Sequence, residues 1–235
     1  MLSWLNIGLK MLAGKRSPRG AIKVSTIGSR AWLVEAPGAF DLPSQRRVWS
    51  LAAALRQRVD VESLIPGVTN LLVVFRQTPI DYDDTLLMLE NQWQQAQDVM
   101  PDGKMIEISV IYGGKHATDL DAVCQHCGLS AAEVVRRHHQ TTYTVFALGS
   151  APGFAYLHGL DPALATPRKK IPSLNMLKGT VTIGGEQAGV SALTGPNGWN
   201  AIGFAEIDVF DPTAESPALM TPGDTVRFVP ARIEL

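Results

Sequence analysis

Residues 143–159 read YTVFALGSAPGFAYLHG, an apolar run followed by a turn that is rich in glycine, proline and aromatic side chains. The first six residues are typical of a buried β-strand. Glycine in the turn permits backbone conformations that other residues avoid, and it lets a ligand approach the main chain. The stretch therefore predicts either one wall of a pocket, carrying Gly153, Phe154, Tyr156 and His158, or a structural turn whose aromatic side chains are buried.

The composition is that of a soluble globular protein. The chain has 235 residues, of which 46% are hydrophobic and 18% charged, and its formal net charge is -1. This length allows one large domain or two modest ones. The balanced charge gives no attraction to nucleic acid or anionic lipid, and no apolar run is long enough to span a bilayer. Two cysteines cannot build a disulfide framework, so we expect a reducing compartment, the cytoplasm.

Residues 21–104 are expected to form a small α+β domain. Two apolar runs around Gly28 indicate a β-hairpin. Two segments with helical apolar spacing follow, with Ser44 as the candidate N-cap of the first helix and Val59 on its buried face. A short apolar run at residues 71–75 lies between the helices, and another strand follows the second helix. The order β-β-α-β-α-β predicts a small sheet with helices on one face.

Residues 1–20 are interpreted as an N-terminal extension that precedes this domain. Its basic residues follow the apolar part and no long hydrophobic region is present, so it is not typical of a secretory signal. Leu2, Leu5, Leu9 and Leu12 fall on one helical stripe. The segment is therefore either an amphipathic helix that docks on a neighbour or subunit, or a frayed or partner-ordered extension.

Residues 105–235 are expected to form a β-barrel domain. After its first strand comes a helical connector, in which Gly128 ends one short helix and Ser130 with Glu133 forms the capping box of a second. Short apolar runs separated by Gly and Pro then predict a barrel or a sandwich. The predicted strands are residues 143–148, 180–183, 190–193, 206–210 and 225–229.

A glycine pair in Tyr112-Gly113-Gly114 follows a strand and leads to a helix that begins at Asp119. Such a pair can expose backbone N–H groups to an anion. The Gly-Lys-Ser/Thr of a phosphate loop does not follow it. The turn is therefore either part of a substrate site or purely structural.

Three further positions could carry chemistry. His138 lies near the end of the second connector helix and could act as acid, base or hydrogen-bond donor, or it could only complement the helix dipole. Arg168, in a basic cluster, could bind a carboxylate or phosphate with two parallel hydrogen bonds, or lie in a solvated loop. Gly198 and Trp199 belong to a second Gly/Pro turn that could form the opposite wall of a cleft.

Cys124 and Cys127 are expected to be structural or incidental. Their spacing with His138 or His139 does not match the usual zinc patterns. They lie at the end of a helix, where the dipole opposes the thiolate, so no metal ligand set is predicted. No Ser-His-Asp arrangement, H-E-x-x-H motif or kinase signature is present either. The chain alone therefore shows no self-contained catalytic machinery.

An ordered series of short motifs runs through about residues 105–230. The motifs include Tyr112-Gly113-Gly114, Asp119-Leu120, Pro152-Gly153-Phe154, Gly159-Leu160-Asp161-Pro162, Thr166-Pro167-Arg168, Gly198-Trp199, Phe210-Asp211-Pro212 and Pro222-Gly223-Asp224. In this series the chain resembles the KipI family, also called allophanate hydrolase subunit 1 or the B subunit of 5-oxoprolinase. The resemblance implies an α+β fold, with a small N-terminal α+β sandwich domain and a cyclophilin-like β-barrel domain.

The resemblance also implies a component of an ATP-dependent 5-oxoprolinase, which opens the lactam of 5-oxoproline to glutamate. Its partners would be a KipA-type and a LamB/YcsF-type subunit, which would supply the ATP chemistry. In that assembly Arg168 would hold a carboxylate, His138 would assist proton movement, and the aromatic side chains would exclude water. A regulatory inhibitor of a histidine kinase and a carboxyltransferase-type component of urea metabolism stay open as alternatives. A prolyl isomerase would rest on fold analogy alone.

The chain departs from the family pattern at four places on the predicted pocket walls. Ser150 stands where Phe is common, Ala117-Thr118 where a Gly-Pro pair is usual, and Asn197 where Gly is usual. Gly189-Val190-Ser191-Ala192 replaces a strand of the Gly-Ile-Tyr-Pro type. These positions leave open whether the substrate is the family's commonest one.

Overall fold

The computed structural model describes residues 22–38, 40–98 and 100–235. The predicted N-terminal extension, residues 1–20, lies outside the described residues. Two structural units are present, a four-stranded sheet with two helices and a closed seven-stranded barrel with two more. Within the described ranges, no helix has both the length and the hydropathy that crossing a membrane requires. The predicted fold class, an α+β unit followed by a β-barrel, is confirmed.

The N-terminal unit, residues 22–98, contains an antiparallel sheet and two helices. Its elements are β1 (Lys23–Ile27), β2 (Ala31–Glu35), α1 (Leu42–Leu55), β3 (Val61–Pro66), β4 (Asn70–Phe75) and α2 (Tyr82–Gln95). The strand order is β1-β2-β4-β3. Its core packs Trp32, Leu51, Leu71 and Trp93 between the sheet and the helices. The hairpin at Gly28 is confirmed.

Three details of this unit differ from the prediction. Strand β3 was not predicted, because its sequence, VESLIP, does not alternate regularly between apolar and polar residues. The N-cap of α1 is Asp41, whose carboxylate accepts the Ser44 N–H at 2.8 Å, so Ser44 is the donor in the cap. Helix α1 ends at Leu55, and Val59 beyond it is 91% exposed.

The barrel is built from seven strands and accompanied by a separate two-stranded pair. The barrel strands are β5 (Met105–Gly113), β6 (Thr142–Leu148), β7 (Ala155–His158), β9 (Thr180–Gly184), β10 (Gln187–Val190), β12 (Asn200–Phe204) and β13 (Thr225–Glu234). The separate pair is β8 (Ser173–Met176) and β11 (Gly195–Asn197). The barrel closes in the order β10-β7-β6-β13-β5-β12-β9, and β13 runs parallel to β5. Closure removes the free edges of the sheet.

The connector helices are α3 (Leu120–Cys127) and α4 (Ala131–Gln140). As predicted, Gly128 ends α3 in the left-handed region, with a φ of 66°, and the Ser130 side chain caps α4 by accepting the Glu133 N–H at 3.2 Å.

Two of the predicted barrel strands are misplaced. The strand predicted at residues 190–193 overlaps β10 only at Val190, where β10 ends. The strand predicted at residues 206–210 is wrong. That segment forms only an isolated bridge between Phe210 and Ala218.

Candidate functional site

A cavity of about 520 Å³ opens at the barrel, between the turn at residues 149–154 and the second Gly/Pro turn. The structure brings five of the predicted residues together around it, and these are Phe154, Tyr156, Arg168, Gly198 and Trp199. A volume of this size suits a small-molecule ligand. Lys169 and Asn197 also line it. Asn197 was expected on a pocket wall as a departure from the family pattern, whereas Lys169 was not selected as a site residue.

The apolar wall of the cavity is a cluster of three aromatic rings. Phe154 contacts Tyr156 and Trp199 edge to face, with ring centroids 5.1 and 5.5 Å away, and Tyr156 lies 6.1 Å from Trp199. Edge-to-face pairs of this kind are attractive. Glycines make the space for these rings, since a Cβ at Gly189 would lie 3.0 Å from Phe154 and one at Gly184 would overlap Trp199. The rings are therefore held in place by the strands beneath them.

The turn that starts the wall has an unusual backbone. Gly153 has a φ of 76°, and a Cβ there would lie 2.5 Å from the Val209 carbonyl oxygen, so only glycine fits. Ser150 has a φ of 67° although it carries a side chain. In the described part of the chain only Thr69 shares this property. Left-handed backbone in a residue with a side chain is strained and is often found at ligand sites.

The charged side of the cavity begins with Arg168. Its guanidinium carbon lies 5.5 Å from the centroid of the Trp199 ring, within the range of a cation–π contact. No carboxylate of residues 22–38, 40–98 or 100–235 forms a salt bridge with it. The side chain is exposed, and its planar group of donors is suited to a carboxylate.

Lys169 is the second cation of the site and is much more buried. Its Nζ donates to Asp119 Oδ2 at 2.7 Å and to Ser173 Oγ at 2.6 Å. The same Asp119 oxygen accepts the Ala201 N–H at 2.8 Å. Asp119, predicted as a substrate-binding residue, is therefore the partner of Lys169. An ammonium group has three donors, so one donor of Lys169 remains after these two bonds.

Asn197 fixes the opposite rim of the cavity. Its side-chain oxygen accepts the Trp199 N–H at 2.8 Å, and its amide nitrogen donates to Ser191 Oγ at 3.2 Å. Asparagine beside glycine is typical of a turn. The same turn is tied to the basic cluster, because the Lys169 N–H donates to the Gly198 carbonyl at 2.7 Å.

His138 and Tyr112 do not reach the cavity. Both are fully buried in the barrel core, where Tyr112 OH lies 2.8 Å from His138 Nδ1 and the His138 ring packs on Tyr143 and Phe228. Burial lowers the pKa of His138 to about 3 and raises the pKa of Tyr112. His138 is therefore neutral near neutral pH. This placement does not fit the predicted role of His138 in moving protons for a bound ligand.

The glycine pair predicted to face an anion packs instead against the last strand. Gly113 and Gly114 have φ angles of 78° and 63°, and a Cβ at either position would overlap Glu234. The overlapping atom at Gly114 belongs to the Glu234 carboxylate. This carboxylate, which also pairs with Arg232, occupies the space in which an anion would have to bind. These glycines permit close packing of β5 on β13.

The two cysteines are free thiols and partly buried. Burial raises the pKa of the Cys124 thiol, and Asp121 and Cys127 raise it further. A raised pKa opposes formation of the reactive thiolate. In the part of the chain that the structure describes, no group of three metal-ligating side chains is found.

A larger cavity, of about 610 Å³, lies on the N-terminal unit between the α1–β3 loop and the start of α2. Several of its charged groups are engaged with other parts of the protein, since Arg58 pairs with Asp60 and the Asp81 carboxylate caps α2 by accepting the Asp84 N–H. The barrel cavity combines an aromatic wall with cationic donors. We therefore take the barrel cavity as the candidate site.

This fold and site place the chain among the carboxyltransferase domains. Residues 22–220 match the family described as carboxyltransferase domain, subdomain C and D, and the chain belongs to that family. The chain is similar to the B subunit of 5-oxoprolinase from Escherichia coli O157:H7, with 41% identity over 88% of this chain and 94% of the relative. It is 33% identical to the B subunit of 5-oxoprolinase from Haemophilus influenzae, over 91% of this chain and 100% of that one. The family resemblance seen in the motifs is confirmed.

Solved structures show the same fold. The crystal structure of TTHA0988 matches with a TM-score of 0.71 and 31% identity, over 86% of this chain and 40% of that chain. This chain thus spans less than half of that protein. The urea carboxylase of Kluyveromyces lactis matches with a TM-score of 0.71 over 92% of this chain and 22% of that one. At 20% identity, this second likeness shows the fold alone.

Proposed function

We propose that the chain is the component of an ATP-dependent 5-oxoprolinase that receives the lactam substrate, 5-oxo-L-proline. The observation that carries this proposal is the cavity lined by Arg168, Lys169 and three aromatic side chains. The similarity to proteins named as the B subunit of 5-oxoprolinase supports it.

Each chemical group of 5-oxoproline has a suitable partner among the side chains that line the cavity. Its carboxylate suits the guanidinium of Arg168, which can donate two parallel hydrogen bonds. Its small apolar ring suits the wall of Phe154 and Trp199, and the remaining Lys169 donor suits the lactam carbonyl oxygen. Urea has no carboxylate and would leave Arg168 without an anionic partner. The charge of the cavity therefore favours the oxo acid.

The proposed role of the chain is to bind and orient the lactam and to exclude water from it. A positioned carbonyl beside an ammonium group in a partly buried site is polarised more strongly than in water. The Lys169–Asp119 pair holds that ammonium in a fixed place. The aromatic wall removes water from one side of the ring, which limits side reactions.

ATP is the co-substrate that the family resemblance implies, and this chain does not fit it at the predicted turn. Glu234 covers Gly113 and Gly114, so no cradle for a triphosphate exists there. We assign ATP binding to KipA-type and LamB/YcsF-type partner subunits, where it would supply the activation of the lactam oxygen. The assembly is then a hetero-oligomer in which this chain contributes the substrate cavity.

The test is an ATP-dependent assay of glutamate formation from 5-oxoproline. The chain is co-purified with the KipA-type and LamB/YcsF-type proteins of the same organism, and each component is omitted in turn. We expect activity only from the complete set. Turnover by this chain alone, or no glutamate from the complete set, would overturn the proposal.

A matched pair of variants locates the substrate in the assembly. Arg168→Gln removes one of the two cationic groups that line the cavity, and Lys170→Gln removes a charge from the same cluster at a position that does not line it. We expect Arg168→Gln to raise KM for 5-oxoproline by roughly ten- to a hundredfold, the range for a lost charge-assisted hydrogen bond. Lys170→Gln should leave KM unchanged. Equal effects would place the carboxylate elsewhere.

A further inference from the structure

We infer that helix α1 of the N-terminal unit positions the wall of the barrel cavity, and that Gln45 and Trp49 are the positioning residues. Both side chains reach across to one carbonyl group of the barrel, that of Phe146. The consequence for catalysis rests on the proposed function, whereas the structural coupling can be measured without it.

Phe146 is the extra residue of a β-bulge in strand β6. Strands β6 and β7 pair in register up to Val145, which lies opposite Leu157, and again from Ala147, which lies opposite Tyr156. Phe146 lies between these two pairs without a partner on β7. An extra residue of this kind re-aims the side chains that follow it and is often found beside functional sites.

The carbonyl of the bulge accepts two hydrogen bonds from α1. Gln45 Nε2 and Trp49 Nε1 each donate to Phe146 O at 3.2 Å. The Trp49 and Phe146 rings also pack edge to face, with centroids 6.1 Å apart. A bulge carbonyl has no partner in the sheet, so these donors satisfy a group that would otherwise be costly to bury.

The Gln45 side chain is itself fixed by hydrogen bonds at both ends of its amide group. It is fully buried, its Nε2 also donates to Gly67 O at 3.1 Å, and its Oε1 accepts the Thr69 N–H at 2.6 Å. The latter bond holds Thr69 in its left-handed conformation, with a φ of 54°. A buried network in which every group is paired is rigid. The N-terminal unit therefore presents a fixed pair of donors to the barrel.

The cavity wall follows directly from this bulge along the chain. Beyond it, the Gly149 N–H donates to the Phe154 carbonyl at 3.1 Å, and the Phe154 N–H donates to the Ala151 carbonyl at 3.1 Å. Tyr156, another ring of the wall, pairs with the residue next to Phe146. A shift of one residue would turn each side chain of a strand to the opposite face. The donors that hold the bulge thus hold the orientation of the wall.

The test measures hydrogen exchange at the Gly149 and Phe154 amides in the full chain without ligand. Trp49→Phe keeps an aromatic ring and removes the indole donor, and Gln45→Leu removes the amide. The matched control is Val48→Ala, which weakens the core of the N-terminal unit from the same helix without a bond to Phe146. All three are compared after their losses of stability have been measured by urea unfolding.

We expect Trp49→Phe to accelerate exchange at the two amides by roughly three- to tenfold, the factor for one net hydrogen bond. Gln45→Leu should have at least this effect if it folds. Val48→Ala should leave both amides unchanged. Unchanged exchange in Trp49→Phe, or equal acceleration in Val48→Ala, would overturn the inference.

In the assembled enzyme, the same Trp49→Phe variant should raise KM for 5-oxoproline more than it lowers kcat, because a loosened wall binds less well. A substituted enzyme with faster exchange but an unchanged KM would show that the coupling exists and that the substrate lies elsewhere. Failure of the proposed function and failure of the coupling are thereby distinguished.

Discussion

The Lys169 ammonium and the Asp119 carboxylate lie 2.7 Å apart, and each side chain is only 16% exposed. Two charges removed this far from water are stable together only because further hydrogen bonds satisfy them. Ser173 and the Ala201 N–H supply those bonds. The pair ties the basic cluster to the start of α3, so it stabilises the barrel as well as the site.

Replacing Asp119 should therefore destabilise the protein. Asp119→Asn keeps the shape but leaves the Lys169 charge without a partner, and we expect a loss of about 1–3 kcal/mol in the free energy of unfolding. Asp121→Asn, at an exposed position in α3, should cost less than about 0.5 kcal/mol. Urea unfolding of both variants checks this. Equal losses would mean that the ion pair contributes nothing.

Replacing Ser150 by glycine should stabilise the protein, in contrast to the replacement of Asp119. Its left-handed backbone costs a residue with a side chain about 1 kcal/mol, and glycine avoids this cost. Ser150→Gly should raise the free energy of unfolding by about that amount. Ser216→Gly, at an exposed residue without a positive φ, should not stabilise. The Ser150→Gly enzyme should bind substrate more weakly if the hydroxyl contacts it, and KM measures this separately.

Alanine substitutions at Gly153 and Gly128 distinguish the cost of backbone strain from the cost of steric overlap. Both have positive φ angles, of 76° and 66°, but a Cβ at Gly128 would meet nothing within 4 Å. Gly128→Ala should therefore cost about 1 kcal/mol, and Gly153→Ala should cost clearly more because it also displaces the Val209 carbonyl. Thermal unfolding compares the two. A cost at Gly153 no larger than at Gly128 would argue against the packed turn.

The burial of His138 makes the stability of the protein depend on pH. Its pKa is about 3 in the folded protein against 6.5 for the free side chain, because burial disfavours the charged form. As the pH falls, His138 is protonated in the unfolded chain at a higher pH than in the folded protein. The free energy of unfolding therefore falls as the pH drops from about 6.5 towards 3. The contribution of this group is about 1.4 kcal/mol per pH unit.

Denaturant unfolding at a series of pH values measures that slope. His138→Asn should reduce it across this window, whereas His126→Asn, at an exposed position, should leave it unchanged. An unaltered slope in His138→Asn would show that other groups cause the loss of stability in acid.

Periodicity and turn residues predicted the connector helices and a barrel or a sandwich, and they offered the two Gly/Pro turns as candidate walls of a pocket. The choice of a barrel came from the family resemblance. The residue patterns missed β7, β8, β11 and β12, because these strands are short and several carry residues such as Gly195 and Asn197 that are not typical of strands. The placement of His138 could have been predicted. It follows Val134 by four residues, so both lie on the face of α4 that packs on the barrel.

The partner of Lys169 could not be predicted in the same way. Asp119 and Lys169 are 50 residues apart, and only closure of the barrel brings them together. For the same reason, nothing in the local sequence connects Gln45 with Phe146, 101 residues away. Contacts of this kind depend on the tertiary fold and leave no periodic signal.

The glycines beneath Phe154 and Trp199 also limit how this cavity can evolve. Any side chain at Gly184 or Gly189 would have to displace the Trp199 or Phe154 ring. Substitutions at these two glycines therefore cannot change the substrate preference in small steps. The exposed rim, including Leu193 and Thr194, has room to vary. Natural divergence and laboratory libraries should therefore both change substrate preference from the rim inward.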